Sequence, residues 1–469
     1  MNQENIQENR SKRFLKAIGL YAIGNLGSKL ITFLMVPLYT YFVLPNDMGF
    51  YDVSLTLIIA LIPIITLQMR DGAYRFLIDE FDETNRKRII SFVCKELLIS
   101  TIIVCFIWCA LHFIYPIQYL SEICLLLLIM FYCEVLLQVA RAVGGTSCYA
   151  IAGIISSFGI GLFSIIFVAW LGYGLRGIFW ANILARFVAL CYVEYKIKLI
   201  RKYFSFSVVV GSRNKEILRY VFPLLPSALC WSLLDCSGRL FVQNYLGLEI
   251  NGLFAVAFRF ASIIYTFAII YIQAWQEMAL VNYETKDRDE FFSEMYNSFL
   301  YFISFIVVVV CYILKFNYGW LVDNSYNESL KLVYPMSAAV AISTVSQFLD
   351  LGYQCSKETK RSVPSILCAL IVNVIVSFVL IEILGVWAVV LASLLAFVFL
   401  YVYRSIDVRR YFKLKINKSS LVAIMIALLS AIPFYVFNDI ANIIYFGIIV
   451  VAYVMLMPQA LKAKLKLKK

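Results

Sequence analysis

Lys29, Arg186, Arg239 and Arg259 each lie inside a long apolar stretch, away from the basic loops that hold most of the chain's charge. A cation at bilayer depth costs roughly 2.5–3.5 kcal/mol on the insertion scale, so four facing lipid would cost on the order of 10–14 kcal/mol. Such side chains line a cavity, pair with acids or snorkel to an interface. In a cavity, the chemistry they offer is the binding of an anion. Asn25, Lys29 and Thr32 follow i, i+4, i+7 spacing on one helical face, and Pro37 can kink the same helix. Trp231, Asp235, Arg239 and Gln243 repeat every four residues on a later stretch, where Asp235 and Arg239 have the spacing of an intrahelical ion pair. Asp52, Glu134, Asp235 and Asp350 are the acids that a coupling proton or sodium ion, or a pairing cation, can use. Arg186 is expected either to meet cargo or to pair with Glu134 or another buried acid.

These positions need a membrane around them. Of 469 residues, 62% are hydrophobic and only 15% charged, so the bilayer is the solvent for most of the chain. Fourteen apolar stretches are long enough to span it, at approximately 17–43, 49–69, 92–115, 121–141, 148–170, 177–195, 220–246, 251–280, 292–314, 330–353, 363–383, 386–403, 419–437 and 441–457. The first is too long for the core of a signal peptide and is expected to remain as an uncleaved span.

Orientation follows from counting Lys and Arg. The N-terminal tail carries Arg10, Lys12, Arg13 and Lys16; alternate loops carry Arg86-Lys87-Arg88, the 196–219 segment, Lys357 to Arg361 and Arg404 to Lys418, and the C-terminal tail is Lys-rich. The opposite loops hold almost none, Arg176 being the main exception. By the positive-inside rule both termini are cytoplasmic. The net charge of +12 is thus a topology signal and not a nucleic-acid footprint.

Asn46-Asp47-Met48-Gly49-Phe50-Tyr51 and Glu249-Ile250-Asn251-Gly252-Leu253-Phe254 each open a long helix after a preceding span. Six spans separate the two copies, which predicts parallel repeats about an axis along the membrane normal, with cargo between the lobes. Lys29 and Arg239 then occupy related positions and are expected to face each other. The fold expected is an all-α integral membrane protein of about fourteen transmembrane helices, with two six-helix lobes in parallel pseudo-twofold arrangement plus two C-terminal helices. Its parts are a cytoplasmic tail (1–16), an N-lobe (17–195), a basic linker (196–219), a C-lobe (220–403), a basic loop (404–418), two accessory spans (419–457) and a Lys-rich tail (458–469).

Several chemistries are set aside. No P-loop pattern occurs, and His112 is the single histidine, so Cys/His zinc sites and other metal centres are not expected. Most of the twelve cysteines fall in apolar stretches, where they act as small hydrophobes. Gly172-Tyr173-Gly174-Leu175-Arg176-Gly177 matches the dinucleotide fingerprint, but it falls in a turn between two membrane helices and not after a β-strand. No cofactor is expected.

The run Ile23-Gly24-Asn25-Leu26-Gly27-Ser28-Lys29, then Val36-Pro37-Leu38-Tyr39-Thr40 and the Gly49 turn, resembles the start of polysaccharide-transport flippases, the Wzx-type O-antigen and capsule translocases of the MATE-like MOP superfamily. Gly72-Ala73-Tyr74-Arg75-Phe76, Gly252 through Arg259, Ser356-Lys357-Glu358-Thr359-Lys360 and Leu384-Gly385-Val386-Trp387-Ala388 extend the similarity to about the twelfth span. The chain departs from the family where an Asp-Arg pair gives way to Ser237-Gly238-Arg239, and where Glu277 stands in place of a proline. The resemblance implies a bacterial inner-membrane transporter, not an enzyme, that moves a polyprenyl-pyrophosphate oligosaccharide outward for O-antigen, capsule or exopolysaccharide synthesis. Its implied partners are membrane lipids and the pathway's glycosyltransferases and polymerase, with no nucleic acid. Lys29, Arg239, Arg259, Arg186 and Asn25 are the expected cargo-binding residues. A peptidoglycan-precursor flippase or a multidrug exporter of the same superfamily is the near alternative. A membrane-embedded glycan polymerase is the alternative of a different class, disfavoured because the longest external loop, about 316–329, is short and contains no basic residue.

Overall fold

The computed structural model describes residues 31–457 apart from 32, 79, 115–117, 145, 207–211 and 357. Among them the regular structure is helical, with twelve helices long and apolar enough to cross a membrane and a thirteenth if one bent pair is a single span. Each answers one of the apolar stretches after the first. The first is described only in its second half, where an apolar helix α1 (Phe33–Phe42) continues it. The protein is a multi-pass membrane protein.

The described residues form two compact units, one through Gln243 and one from Asn244 onward. The first holds α1, α2 (Pro45–Ile65), α3 (Met69–Leu77), α4 (Glu83–Ile114), α5 (Leu120–Gly144), α6 (Thr146–Ser164), α7 (Gly174–Ile197), α8 (Leu199–Tyr203), α9 (Ser212–Val221) and most of α10 (Leu225–Leu246). The stretch at 49–69 is not one helix. α2 ends at Ile65, and Leu67 and Gln68 take left-handed φ of 48° and 56° before α3 begins. The Ser100 hydroxyl donates to the Ile65 carbonyl at 2.8 Å, and the Gln68 amide donates to Asp71 at 2.7 Å, satisfying polar groups that the break exposes. Hydropathy runs on through the break, which is why periodicity alone extends the span to 69.

The segment 196–219, expected as a linker, contains two short helices. Ser91 of α4 donates to the Tyr203 carbonyl at 2.8 Å and accepts the Ser205 amide at 3.0 Å. Lys95 reaches the Phe206 carbonyl at 2.9 Å, and Lys202 pairs with Glu83 at 2.6 Å. Pro223 and Pro226 then explain the 41° bend between Asn214–Leu224 and Ala228–Leu246. Gly172 to Gly177 follows a π-helical turn, Ile165–Trp170, and no strand, so the fingerprint there is incidental.

The second unit holds α11 (Leu248–Asn282), α12 (Arg288–Leu321), α13 (Leu330–Cys355), α14 (Ser362–Leu384), α15 (Val386–Asp407), α16 (Lys418–Leu429), α17 (Ala431–Val436) and α18 (Asp439–Leu456). Gly247, at φ 89° and ψ 173°, makes the one-residue turn into α11, a conformation open in practice only to glycine. Asp323 caps a short 3-10 turn, and hydrogen bonds from the Ser325 amide and hydroxyl hold its carboxyl below the usual range. The basic loop expected at 404–418 starts later than its sequence suggests. α15 continues to Asp407 and a 3-10 turn to Arg410, so Arg404 belongs to the helix.

The last helices are strapped down by tyrosines. Tyr301 and Tyr312 of α12 donate to the carbonyls of Tyr453 and Ser430 at 2.6 and 2.9 Å. Tyr334 of α13 donates to the Ala427 carbonyl at 2.5 Å, with the Ser430 hydroxyl 2.6 Å away, and Tyr453 donates to the Ala423 carbonyl at 2.7 Å. Tyr334→Phe is expected to lower stability by about 0.6–1.7 kcal/mol, the range for hydrogen bonds between membrane helices, read as a lower melting midpoint in detergent. An unchanged midpoint would show that the strap is redundant.

Candidate functional site

In the first unit, α2 carries Asp52, α7 carries Arg186, and α10 carries Asp235 and Arg239. Asp52 sits about two turns (~10 Å) into α2, and Arg239 the same distance before the end of α10. Arg239 Nε donates to Asp52 Oδ2 at 2.6 Å, and both side chains are about nine-tenths buried. Arg239 Nη1 also donates to the Asp235 backbone carbonyl at 2.7 Å. The intrahelical Asp235–Arg239 side-chain pair is therefore not what forms: the guanidinium is taken by Asp52 and by a carbonyl. Asp235 is exposed, and its carboxylate accepts no hydrogen bond among the described residues.

Arg186 lies near the middle of α7 and is only half-buried. Its Nη1 donates to Asn182, one turn earlier, at 2.7 Å to the side-chain oxygen and 3.2 Å to the carbonyl. Tyr51, Cys133 and Tyr39 are its electrostatic neighbours. No carboxylate lies within ion-pair distance of it among the described residues. The expected partner Glu134 is engaged elsewhere, by Arg70 at 2.5 Å. α7 is held in its rotation by close packing: a Cβ on Gly159 of α6 would lie 3.0 Å from that of Ala185, beside Arg186. Tyr51 packs edge-on against Phe179 of α7 at 5.5 Å, and the Tyr39 and Ser164 hydroxyls meet at 2.9 Å. The result is a cation lined by hydroxyl and amide groups inside a membrane helix.

Lys29 and Asn25, and with them the expected facing of Lys29 and Arg239, lie outside the described residues. Arg259 belongs to the second unit, half-buried on α11, with the Ser262 hydroxyl on its carbonyl at 2.7 Å. Asp350, also in the second unit, accepts from Arg404 Nη2 at 2.9 Å and from the Ser362 hydroxyl at 2.5 Å. Arg404 is wholly buried and donates further to Ser365 Oγ at 3.1 Å, the Ser346 carbonyl at 3.0 Å and Ser362 Oγ at 2.9 Å. Asp350 is thereby committed to holding α13, α14 and α15 together. Arg404 was missed as an interior residue, although a signal existed. Ala388, Ala392, Ala396, Leu400, Arg404 and Val408 form one i+4 stripe, and all are buried.

A second cationic cluster sits at the end of α5. The Arg141 guanidinium lies over the Tyr74 ring at 4.8 Å and the Tyr149 ring at 5.6 Å, close to where Arg70 meets Glu134.

No protein family matches the chain by sequence, and no curated protein does. Solved structures do match. The chain is similar to the lipid II flippase MurJ in an inward closed conformation, with TM-score 0.64, 14% identity, and 93% of this chain and 97% of that one covered. It is also similar to an inward-facing multidrug resistance MATE transporter of the MOP superfamily, with TM-score 0.62 and 14% identity over 85% and 94%. A MOP-superfamily transporter from Pyrococcus furiosus, described by the reverse polarity of its binding pocket, matches with TM-score 0.59 and 13% identity over 86% and 96%. The fold is therefore the one these transporters and flippases share.

Proposed function

We propose that the chain is a flippase that carries polyprenyl-pyrophosphate-linked oligosaccharide units from the cytoplasmic to the outer leaflet of the bacterial cytoplasmic membrane. Both termini lie on the cytoplasmic side, as the Lys and Arg distribution implies. The observation that carries the reading is Arg186: an intramembrane cation hydrogen-bonded only to Asn182, with tyrosines around it and no acid to neutralise it among the described residues. An organic-cation exporter would want the opposite polarity there. A pyrophosphate supplies the missing charge, and its sugars suit hydroxyl and amide partners. Unaided passage of such a head group through about 30 Å of hydrocarbon is prohibitive. Alternating access of two lobes around this region moves the head group while the polyprenyl tail stays in lipid, and the membrane potential favours outward anion movement by about 2.3 kcal/mol per charge per 100 mV. No bond is made or broken, so the chain acts as a transporter. Lys29, Asn25, Arg239 and Arg259 are proposed as further cargo contacts, and Asp235, whose carboxylate accepts no hydrogen bond among the described residues, as an acid for a coupling ion.

Deleting the gene is expected to trap oligosaccharide-lipid in the cytoplasmic leaflet; a normal outer-leaflet pool of single units without polymer would assign a polymerase instead. Arg186→Gln is expected to lower glycan export about tenfold or more at unchanged protein level, the loss of one charge-assisted contact. Normal export by that variant sinks the cationic-site argument. The near-complete overlap with MurJ favours one second reading, a peptidoglycan-precursor flippase. Rescue of cells depleted of their own lipid II flippase would select it.

A further inference from the structure

The second unit contains a pocket that the transport reading does not use. It is a partly open cleft of about 120 Å³ between α12, α13 and α15 and the chain that follows, lined by Tyr296, Leu349, Tyr401, Ser405, Arg409 and Phe412, with Leu414 and Ile416 completing its floor. The wall contributed by residues 412–416 is fixed. The Ser293 hydroxyl accepts the Lys415 amide at 3.0 Å, Asn297 Nδ2 donates to the Lys415 carbonyl at 2.7 Å, and the Asn417 amide donates to Asn297 Oδ1 at 2.8 Å. This extended stretch alternates, with Phe412, Leu414 and Ile416 lining the pocket and Lys413 and Lys415 exposed.

The lining is amphipathic. Its polar groups are Arg409, Ser405 and the paired hydroxyls of Tyr296 and Tyr401, 3.1 Å apart. Arg409 is exposed and has no acidic partner among the described residues, because Asp407 is taken by Arg410 at 3.3 Å. The rest of the lining is aliphatic and aromatic. Val402 and Ile406 on the neighbouring face of α15 are exposed, which is the character of a lipid-facing surface. Arg409, Lys413 and Lys415 make the surroundings cationic. A basic pocket between membrane helices with an apolar floor fits a molecule with a phosphate at one end and hydrocarbon at the other.

We propose that this pocket holds the phosphate of an anionic phospholipid from the cytoplasmic leaflet, with Arg409 as its counter-ion and the Tyr296–Tyr401 hydroxyl pair as hydrogen-bond donor. The glycerol and first acyl carbons rest on Leu349, Phe412, Leu414 and Ile416. The site rests on the orientation given above and is independent of which cargo is carried.

The test uses the full chain purified in detergent with added phosphatidylcholine and phosphatidylglycerol, read by native mass spectrometry for retained lipid. Wild type is expected to retain phosphatidylglycerol selectively, and Arg409→Gln to weaken that retention about tenfold, the value of one charge-assisted contact. Arg410→Gln, whose arginine is already paired, is expected to retain lipid as wild type does. Leu414→Trp fills the pocket without changing charge and is expected to lose the lipid too. Equal retention by wild type and Arg409→Gln overturns the proposal. So does equal loss in Arg410→Gln, which would mean general surface charge. Displacement of the lipid by the same concentration of inorganic phosphate would assign the site to the free anion and overturn the lipid assignment.

Discussion

Asp350→Ala is expected to destabilise the protein by about 3–5 kcal/mol, the range for removing one partner of a buried ion pair. Arg404 has no solvent exposure, and Asp350 is its ion-pair partner at 2.9 Å. The remaining bonds, to Ser362, Ser365 and the Ser346 carbonyl, satisfy its donors but bring no negative charge. The variant should therefore show a sharply lower melting midpoint or fail to elute as a single species from detergent. Replacing both residues with apolar ones, Asp350→Leu with Arg404→Met, is expected to recover most of the loss, since the stranded charge is gone. A wild-type midpoint for Asp350→Ala alone would mean that water or lipid head groups reach Arg404, against its complete burial.

The second large effect belongs to the first unit. Asp52→Ala is expected to cost about 3–5 kcal/mol, because it removes the carboxylate that Arg239 holds at 2.6 Å where both side chains are buried. Here the pair lies in the region proposed to meet cargo, so stability and transport must be read separately. The double variant Asp52→Asn with Arg239→Gln keeps a neutral hydrogen-bonding pair of similar shape and is expected to be more stable than Asp52→Ala. If it folds and exports glycan normally, Arg239 is a structural residue and leaves the list of cargo contacts. If it folds and does not export, the charge itself is used. A double-mutant cycle between positions 52 and 239 should give a coupling well above that of an exposed pair.

How far the sequence leads depends on which interactions are local. The helices were legible because a run of about 20 apolar residues has one stable solution in hydrocarbon. The break after Ile65 was not, since a single Gln68 between Leu67 and Met69 does not by itself end an apolar run and no glycine marks the left-handed backbone. Charge positions were legible, but charge partners were not. Asp52 and Arg239 are 187 residues apart, and no spacing rule joins them. Within α10 the i+4 rule suggested the wrong partner, because a carboxylate on another helix outcompetes one whose helix offers a carbonyl in the right direction. Arg70 and Glu134, 64 residues apart, teach the same lesson from the other side: finding Glu134 engaged is what leaves Arg186 with Asn182. Arg404 was grouped with Arg409 and Arg410 because all three follow an apolar run. The buried i+4 stripe from Ala388 onward separates them.

The tyrosine straps bear on the order in which this protein is made. A ribosome delivers α12 and α13 to the membrane before α16, α17 and α18 exist. Until those arrive, the hydroxyls of Tyr301, Tyr312 and Tyr334 have none of the acceptors they use in the finished fold, all of which lie beyond residue 418. Hydrocarbon offers no substitute partner. The nascent second unit therefore waits with its donors open, and completion of the last helices closes them together. A chain released early, short of that point, would carry those open donors permanently.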